Sequence, residues 1–438
     1  MESAYHLLAR AALGAAPLLA FGEAKLARAV RARRGAADRL VAWADAERLP
    51  SHPLVWIHAP SVGEGLQARA VLEALRARRP ELQAVFTHFS PSAERLAARM
   101  PADFAGTLPW DVPDEAGRAA RALRPTLLVF TKTELWPVLA RAARGAGART
   151  ALVAATLPDG SSRARWPARA VVRPTLGALD LVAAVGELDA ERFAALGARR
   201  GAVRVTGDPG IDSAAERVAA ADPGAPHLAA FHPARGGAAR RPTLVAGSTW
   251  PSDDAVLMPA CAELRRAHPE LRVIAAPHEP EEGAMRALEE RARAAGWRTA
   301  RLGGIERGGG AGDADLVVVD RVGVLAELYT VGDFAWVGGG FHGAGLHSVL
   351  EPAAAGLPVV FGPRHRSAPA AGELLARGGA AVVTDPAAAA AVLGAWLSDP
   401  SARASAGGAA RDYIRGHRGA AARSAALLSG LLDGAVAR

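Results

Sequence analysis

Cysteine is nearly absent from this chain, and so is lysine: Cys261 is the single thiol, and Lys25 and Lys132 are the only lysines among 52 basic residues. One cysteine excludes an internal disulfide framework and any multi-cysteine metal centre, and it fits a reducing compartment. Its simplest role is that of a small buried side chain. Aromatic residues make up only 5% of the 438 positions, so small side chains must do much of the packing. No Walker motif, HExxH or Cys/His cluster occurs, which leaves no expected metal or cofactor. RNP and zinc-finger patterns are also missing, so nothing turns the basic charge into nucleic-acid recognition. The apolar N-terminal stretch is broken by Arg10 and Pro17 and falls short of the roughly 20 apolar residues that a spanning helix needs.

What is present is positive charge and alternation. The net charge is +8 and almost all of it is arginine, which suits an anionic partner such as nucleic acid, a phosphorylated lipid or a membrane surface. Residues 1–40 combine an apolar segment with a basic flank of Lys25, Arg28, Arg31, Arg33 and Arg34, the pattern of an interfacial helix on anionic lipid. An amphipathic helix docked on the domain would read the same way. Strand-like runs then alternate with alanine-rich helical stretches, as in parallel βαβ units. LVWIHAP, AVFTHFS, TLLVFT, RTALVAAT, LDLVAAVG and AVRVTG predict a first doubly wound domain over 41–210. A Pro/Gly/Ala-rich linker follows at 211–241. TLVAGSTW, LRVIAAP, ADLVVVD, DFAWVGGG and LPVVFGP predict a second domain over 242–410, with a C-terminal helix over 411–438. The expected fold class is α/β: two Rossmann-like domains with an interdomain cleft at the carboxyl ends of their strands.

Four loops after strands carry chemistry. SVGEG (61–65) sets Glu64 at a helix start, where it can act as a general base if burial raises its pKa, or simply favour the helix dipole. TKTELWP (131–137) offers Lys132 and Glu134 as acceptor contacts or as a salt-bridged helix start. GSTWPSDD (247–254) offers Ser248 and Thr249, either to a phosphate or as helix caps. In VGGGFHGAGLHSVLEP (337–352), five glycines admit close backbone approach and aim N–H groups at an anion. A helix from His347 adds its positive end, and Glu351 can accept from ribose hydroxyls.

Taken together, WIHAPSVGEG, TKTELWP, AGSTWPSDD, APHEPEE and GGGFHGAGLHSVLEPAAAGLPVVFGP resemble the 3-deoxy-D-manno-octulosonic acid (Kdo) transferases of lipopolysaccharide assembly, in order and in spacing up to about residue 400. The resemblance implies a GT-B fold and an inverting, metal-independent transfer of Kdo from CMP-Kdo to the lipid A precursor (lipid IVA). It also implies a peripheral or monotopic place on the cytoplasmic face of the inner membrane. Glu64 would be the general base, with Ser61, Gly63, Lys132, Glu134, Ser162 and Arg163 on the acceptor side. Ser248, Thr249, His278, Gly339, Gly340, Gly345, His347, Ser348 and Glu351 would hold the donor. Ser348 stands where the family usually has asparagine, and Gly210 where it has a basic residue. A different GT-B enzyme, such as another nucleotide-sugar transferase or a UDP-sugar epimerase, and a catalytically silent lipid-binding relative are the alternatives.

Overall fold

The computed structural model describes residues 5, 9–11, 13–14, 25–231, 240–308 and 313–436. Residues 1–4, 6–8, 12 and 15–24 of the expected membrane-associating segment therefore lie outside the described residues. Among them, no helix is long and apolar enough to cross a membrane. The chain divides into two compact units, Met1–Ser213 with Arg418–Arg438, and Ala214–His417.

The first unit is built on a parallel sheet of seven strands: β1 (Leu54–His58), β2 (Gln83–His88), β3 (Phe104–Thr107), β4 (Leu127–Thr131), β5 (Arg149–Ala155), β6 (Leu181–Ala184) and β7 (Val203–Val205). Their order is β3-β2-β1-β4-β5-β6-β7. Central strands such as LVWIH and LLVFT are buried throughout, as continuous apolar runs must be when helices cover both faces. Alternation along the backbone then divides the core: Leu54 and Trp56 pack with Leu128 and Phe130 on one face, while Val55 and Ile57 pack with Phe86 and Val129 on the other.

The second unit repeats this plan with β8 (Thr243–Thr249), β9 (Arg272–Pro277), β10 (Thr299–Arg301), β11 (Leu316–Val318), β12 (Phe334–Val337), β13 (Val359–Phe361) and β14 (Ala380–Val382). The order is β10-β11-β9-β8-β12-β13-β14, again all parallel. In each unit the strand order reverses about one neighbouring pair, β1 and β4 in the first and β8 and β12 in the second. The connecting helices diverge there, so the loops after those strands open a crevice at the carboxyl edge of the sheet.

Several boundaries differ from the sequence reading. The stretch expected as a linker from 211 begins inside the helix Pro209–Ala219, and Pro226–Ala229 forms another turn. The C-terminal region is two helices, Pro400–His417 and Ala420–Val436, broken at Gly419 with φ +92°. Asp212 accepts from the N–H groups of Gly419 and Ala421 at 2.6 and 2.7 Å, capping the last helix. That helix lays Ala425, Leu428 and Leu432 into the core of the first unit. Arg33, expected in the lipid-facing flank, ends the helix Lys25–Arg33 and is buried. It donates to the carbonyls of Leu108 and Pro109 at 3.1 and 2.9 Å, and its guanidinium lies 4.5 to 5.1 Å from the ring centres of Trp110, Phe89 and Trp136.

Candidate functional site

In the first unit, β1 runs through Ala59 and Pro60 into the helix Val62–Arg78, with Ser61 at its N-cap. The Ser61 hydroxyl donates to Glu64 Oε2, and Lys132 Nζ donates to Glu64 Oε1 at 3.1 Å. Lys132 comes from the loop after β4, across the reversal point. Its backbone takes a left-handed φ of +62°, fixed by an N–H bond to the Val153 carbonyl at 2.8 Å. A non-glycine residue in that region carries about 1 to 3 kcal/mol of strain, and such strain collects at functional sites.

The electrostatics correct the expectation for Glu64. Burial pushes its pKa up, but the Lys132 charge and the Ser61 hydroxyl outweigh burial, and the carboxyl sits below its ordinary range. Glu134 moves the other way: burial raises it, the charge of Glu64 adds to that, and Arg163 opposes. Two carboxyls in one cluster are thus driven apart, the arrangement that separates ionised from protonated roles. Asp208 accepts from the Gln67 amide at 2.8 Å; burial raises its pKa against the Gly210 N–H, that amide and the Lys132 charge. Of the other expected residues, Gly63 opens onto free space and Ser162 is exposed on the turn Ser162–Ala164.

A tryptophan-to-histidine bond closes this side. Trp136 Nε1 donates to His58 Nε2 at 3.1 Å, and His58 Nδ1 lies 3.1 Å from the Thr87 hydroxyl. Indole N–H can only donate, so His58 carries its proton on Nδ1. Full burial, with Arg33 nearby, holds its pKa down at about 3.

The second unit uses the same device. β8 is irregular between Gly247 and Thr249, and Ser248 takes a left-handed φ of +54°. Trp250 then caps the helix Pro251–Ala267 and donates through Nε1 to His347 Nε2 at 3.1 Å. Its indole stacks on His342 at 4.0 Å and on His278 at 4.5 Å, and His278 stacks in turn on His347 at 4.5 Å. Burial, with His278 and His342 adding to it, holds His347 down at about 4, so the ring is neutral with its proton on Nδ1. Thr249 is buried at the strand end, and its carbonyl accepts from the His278 N–H at 2.9 Å. Asp254 behind it is raised by burial to about 6, against the Thr249 hydroxyl. Glu351 pairs with Arg217 of the same unit. The sequence carries no signal for the parts of Trp250, His342, Asp253 and Arg217 in the site, because partners as far apart as 97 and 134 positions meet only through the topology.

The glycine loop is corrected in two respects. The helix expected from His347 is only Leu350–Ala354, and Ser348 Oγ accepts from the Leu350 N–H at 3.3 Å. The glycines serve the protein's own backbone: a Cβ at Gly338 would lie 2.2 Å from the Ser248 carbonyl oxygen, at Gly339 2.2 Å from that of Gly345, and at Gly340 2.4 Å from the Gly362 nitrogen. The N–H groups of Gly338, Gly339 and Gly345 are also committed, to Gly247, Asp253 and His342. Asp253 Oδ2 accepts from both Trp250 and Gly339, at 2.9 and 2.8 Å, and so ties the β8 loop to the β12 loop. Only Gly343 in this run faces open space.

Two doubly wound parallel sheets with polar loops at each reversal point define a GT-B-like α/β protein. In fold the chain is similar to the UDP-GlcNAc 2-epimerase from Neisseria meningitidis bound to UDP-GlcNAc, with a TM-score of 0.59 over 86% of this chain and 99% of that one; at 12% identity the likeness is one of fold alone. Sequence goes further. Residues 29–213 match the family model described as 3-deoxy-D-manno-octulosonic-acid transferase (kdotransferase). The chain is 30% identical to the 3-deoxy-D-manno-octulosonic acid transferase of Bordetella pertussis over 84% of its length and 85% of the relative's. It is 26% identical to that of Aquifex aeolicus over 70% and 76%. The chain therefore belongs to the 3-deoxy-D-manno-octulosonic acid transferase family and is a glycosyltransferase.

Proposed function

We propose that the protein transfers Kdo from CMP-Kdo to a hydroxyl of the lipid A precursor, lipid IVA, with Glu64 as general base, while peripherally bound to the cytoplasmic face of the inner membrane. The observation that carries the reading is the Glu64 carboxylate, held ionised at the β1/β4 reversal point by Lys132 and Ser61. Glu64 takes the proton of the acceptor hydroxyl as its oxygen attacks the anomeric carbon. The bond from that carbon to the CMP phosphate oxygen breaks with inversion, and CMP leaves with the electron pair. Lys132 keeps the base ionised before the reaction, and afterwards the proton rests on Glu64. Glu134 and Arg163 shape the acceptor side, together with Ser61, Gly63 and Ser162.

On the donor side, the neutral His347 presents Nδ1–H, a donor aimed by the Trp250 bond at its other nitrogen. Ser248, Thr249, His278 and Ser348 surround the nucleotide phosphate. Glu351 accepts from the ribose hydroxyls, its carboxylate fixed by Arg217. Gly339, Gly340 and Gly345 contribute shape, allowing the two strand-end loops to meet. Incubating the purified protein with CMP-Kdo generated in situ and tetraacylated lipid A precursor should release CMP and add the mass of Kdo to the lipid. Glu64→Ala should abolish both. No mass increase beside an active control enzyme would refute the assignment.

A further inference from the structure

One surface of the first unit is not used by this chemistry. Between Asp159 and Asp180 the chain has four arginines and no acidic residue. Arg165 is extended, and its carbonyl accepts from the Arg169 N–H at 2.8 Å just ahead of the helix Ala168–Ala178. Arg169 and Arg173 stand at i and i+4 on that helix, Arg165 lies just before it, and all three are exposed. Like charges at this spacing destabilise a helix. None of the three makes an ion pair with a carboxylate among the described residues to offset that. Trp166, beside the stripe, is 79% exposed, the most exposed of the large hydrophobic side chains among the described residues. The helix buries only Leu176.

We infer that Trp166 and the Arg165/Arg169/Arg173 stripe form a docking surface for an anionic phospholipid bilayer. Arginine heads on lipid phosphates relieve the repulsion within the stripe, and an indole with one polar N–H is suited to the headgroup level. Nucleic acid would satisfy the arginines as well. The position of the loop favours lipid: Arg163, three residues before Trp166, acts electrostatically on Glu134 in the acceptor cluster. A bilayer met by Trp166 would present a lipid acceptor to the same edge of the unit. It draws on a different part of the chain from residues 1–40.

The inference deepens the lipid-acceptor reading, but its test uses neither donor nor acceptor, so the two can fail independently. The full chain is mixed with phosphatidylcholine vesicles with or without phosphatidylglycerol, carrying brominated acyl chains that quench nearby tryptophan. With phosphatidylglycerol present, wild-type fluorescence should lose a component that is missing in Trp166→Phe. Arg169→Gln with Arg173→Gln should weaken partitioning roughly thirtyfold, with unchanged or higher thermal stability. Equal quenching of wild type and Trp166→Phe at saturating lipid would overturn the inference, as would unchanged partitioning of the double glutamine variant. Binding to an oligonucleotide that these glutamines abolish, without tryptophan quenching by lipid, would assign the surface to nucleic acid instead.

Discussion

At the scale of single residues, the state of Glu64 is a contest between burial and one ammonium. Burial favours the protonated acid, but Lys132 at 3.1 Å and the Ser61 hydroxyl favour the anion and prevail. A base must be deprotonated to work, so activity is present above its pKa and is lost as pH falls through it. The acid limb of kcat/KM should therefore lie below the ordinary glutamate range. In Lys132→Met the burial effect loses its main opponent, and the limb should move to higher pH, with Lys132→Arg moving it back. An unchanged limb in the methionine variant would show that another group sets it. Arg217 makes the matching case on the donor side. If it fixes Glu351 for the ribose, Arg217→Ala should weaken inhibition by CMP about tenfold or more, the scale of a charge-assisted hydrogen bond, and that by 2′-deoxy-CMP much less. Equal losses for the two nucleotides would remove Glu351 and Arg217 from ribose recognition.

Among the elements, the glycine loop shows how a motif can be legible while its purpose is not. Five glycines after β12 suggest a phosphate cradle, yet three of them are demanded by backbone packed against backbone. Gly340→Ala should cost about 2 to 4 kcal/mol, since the neighbour at 2.4 Å is main chain and has nowhere to go. Gly343→Ala should stay within roughly 0.5 kcal/mol. Denaturant unfolding followed at the second unit separates them, and a tolerated alanine at 340 would return that glycine to the ligand. The same contrast governs the strands. β1, β4, β8 and β12 could be read from sequence because burial on both faces demands long apolar runs. FAGT in β3, TAR in β10 and AAV in β14 are partly exposed edge strands that need no such run and so carry no such signal. Glu64, Lys132, Ser248 and His347 could be picked out as polar residues in post-strand loops. The Trp250 stack could not, because strand order and not sequence spacing brings β8, β9 and β12 together.

For the whole molecule, the decisive feature is that the chain leaves the first unit at Ser213 and returns to it at Arg418. The last helix completes the first unit: Ala425, Leu428 and Leu432 fill the face shared with Val71, Leu75 and Phe86. Both leucines are fully buried, so Leu428→Ala or Leu432→Ala should each cost about 2 to 5 kcal/mol. Because the damaged core belongs to one unit, the loss should be local. Peptide-resolved hydrogen exchange in either variant should show faster exchange in β1, β2 and the helix Val62–Arg78, with β8, β9 and β12 unchanged. Equal acceleration in both sheets would mean that the two units unfold as one, and no acceleration in either would mean that the last helix is dispensable. The expected pattern also implies that chain ending at residue 417 would keep the donor side folded while leaving Glu64 on a weakened scaffold. Loss of transfer with nucleotide binding retained would then be its signature.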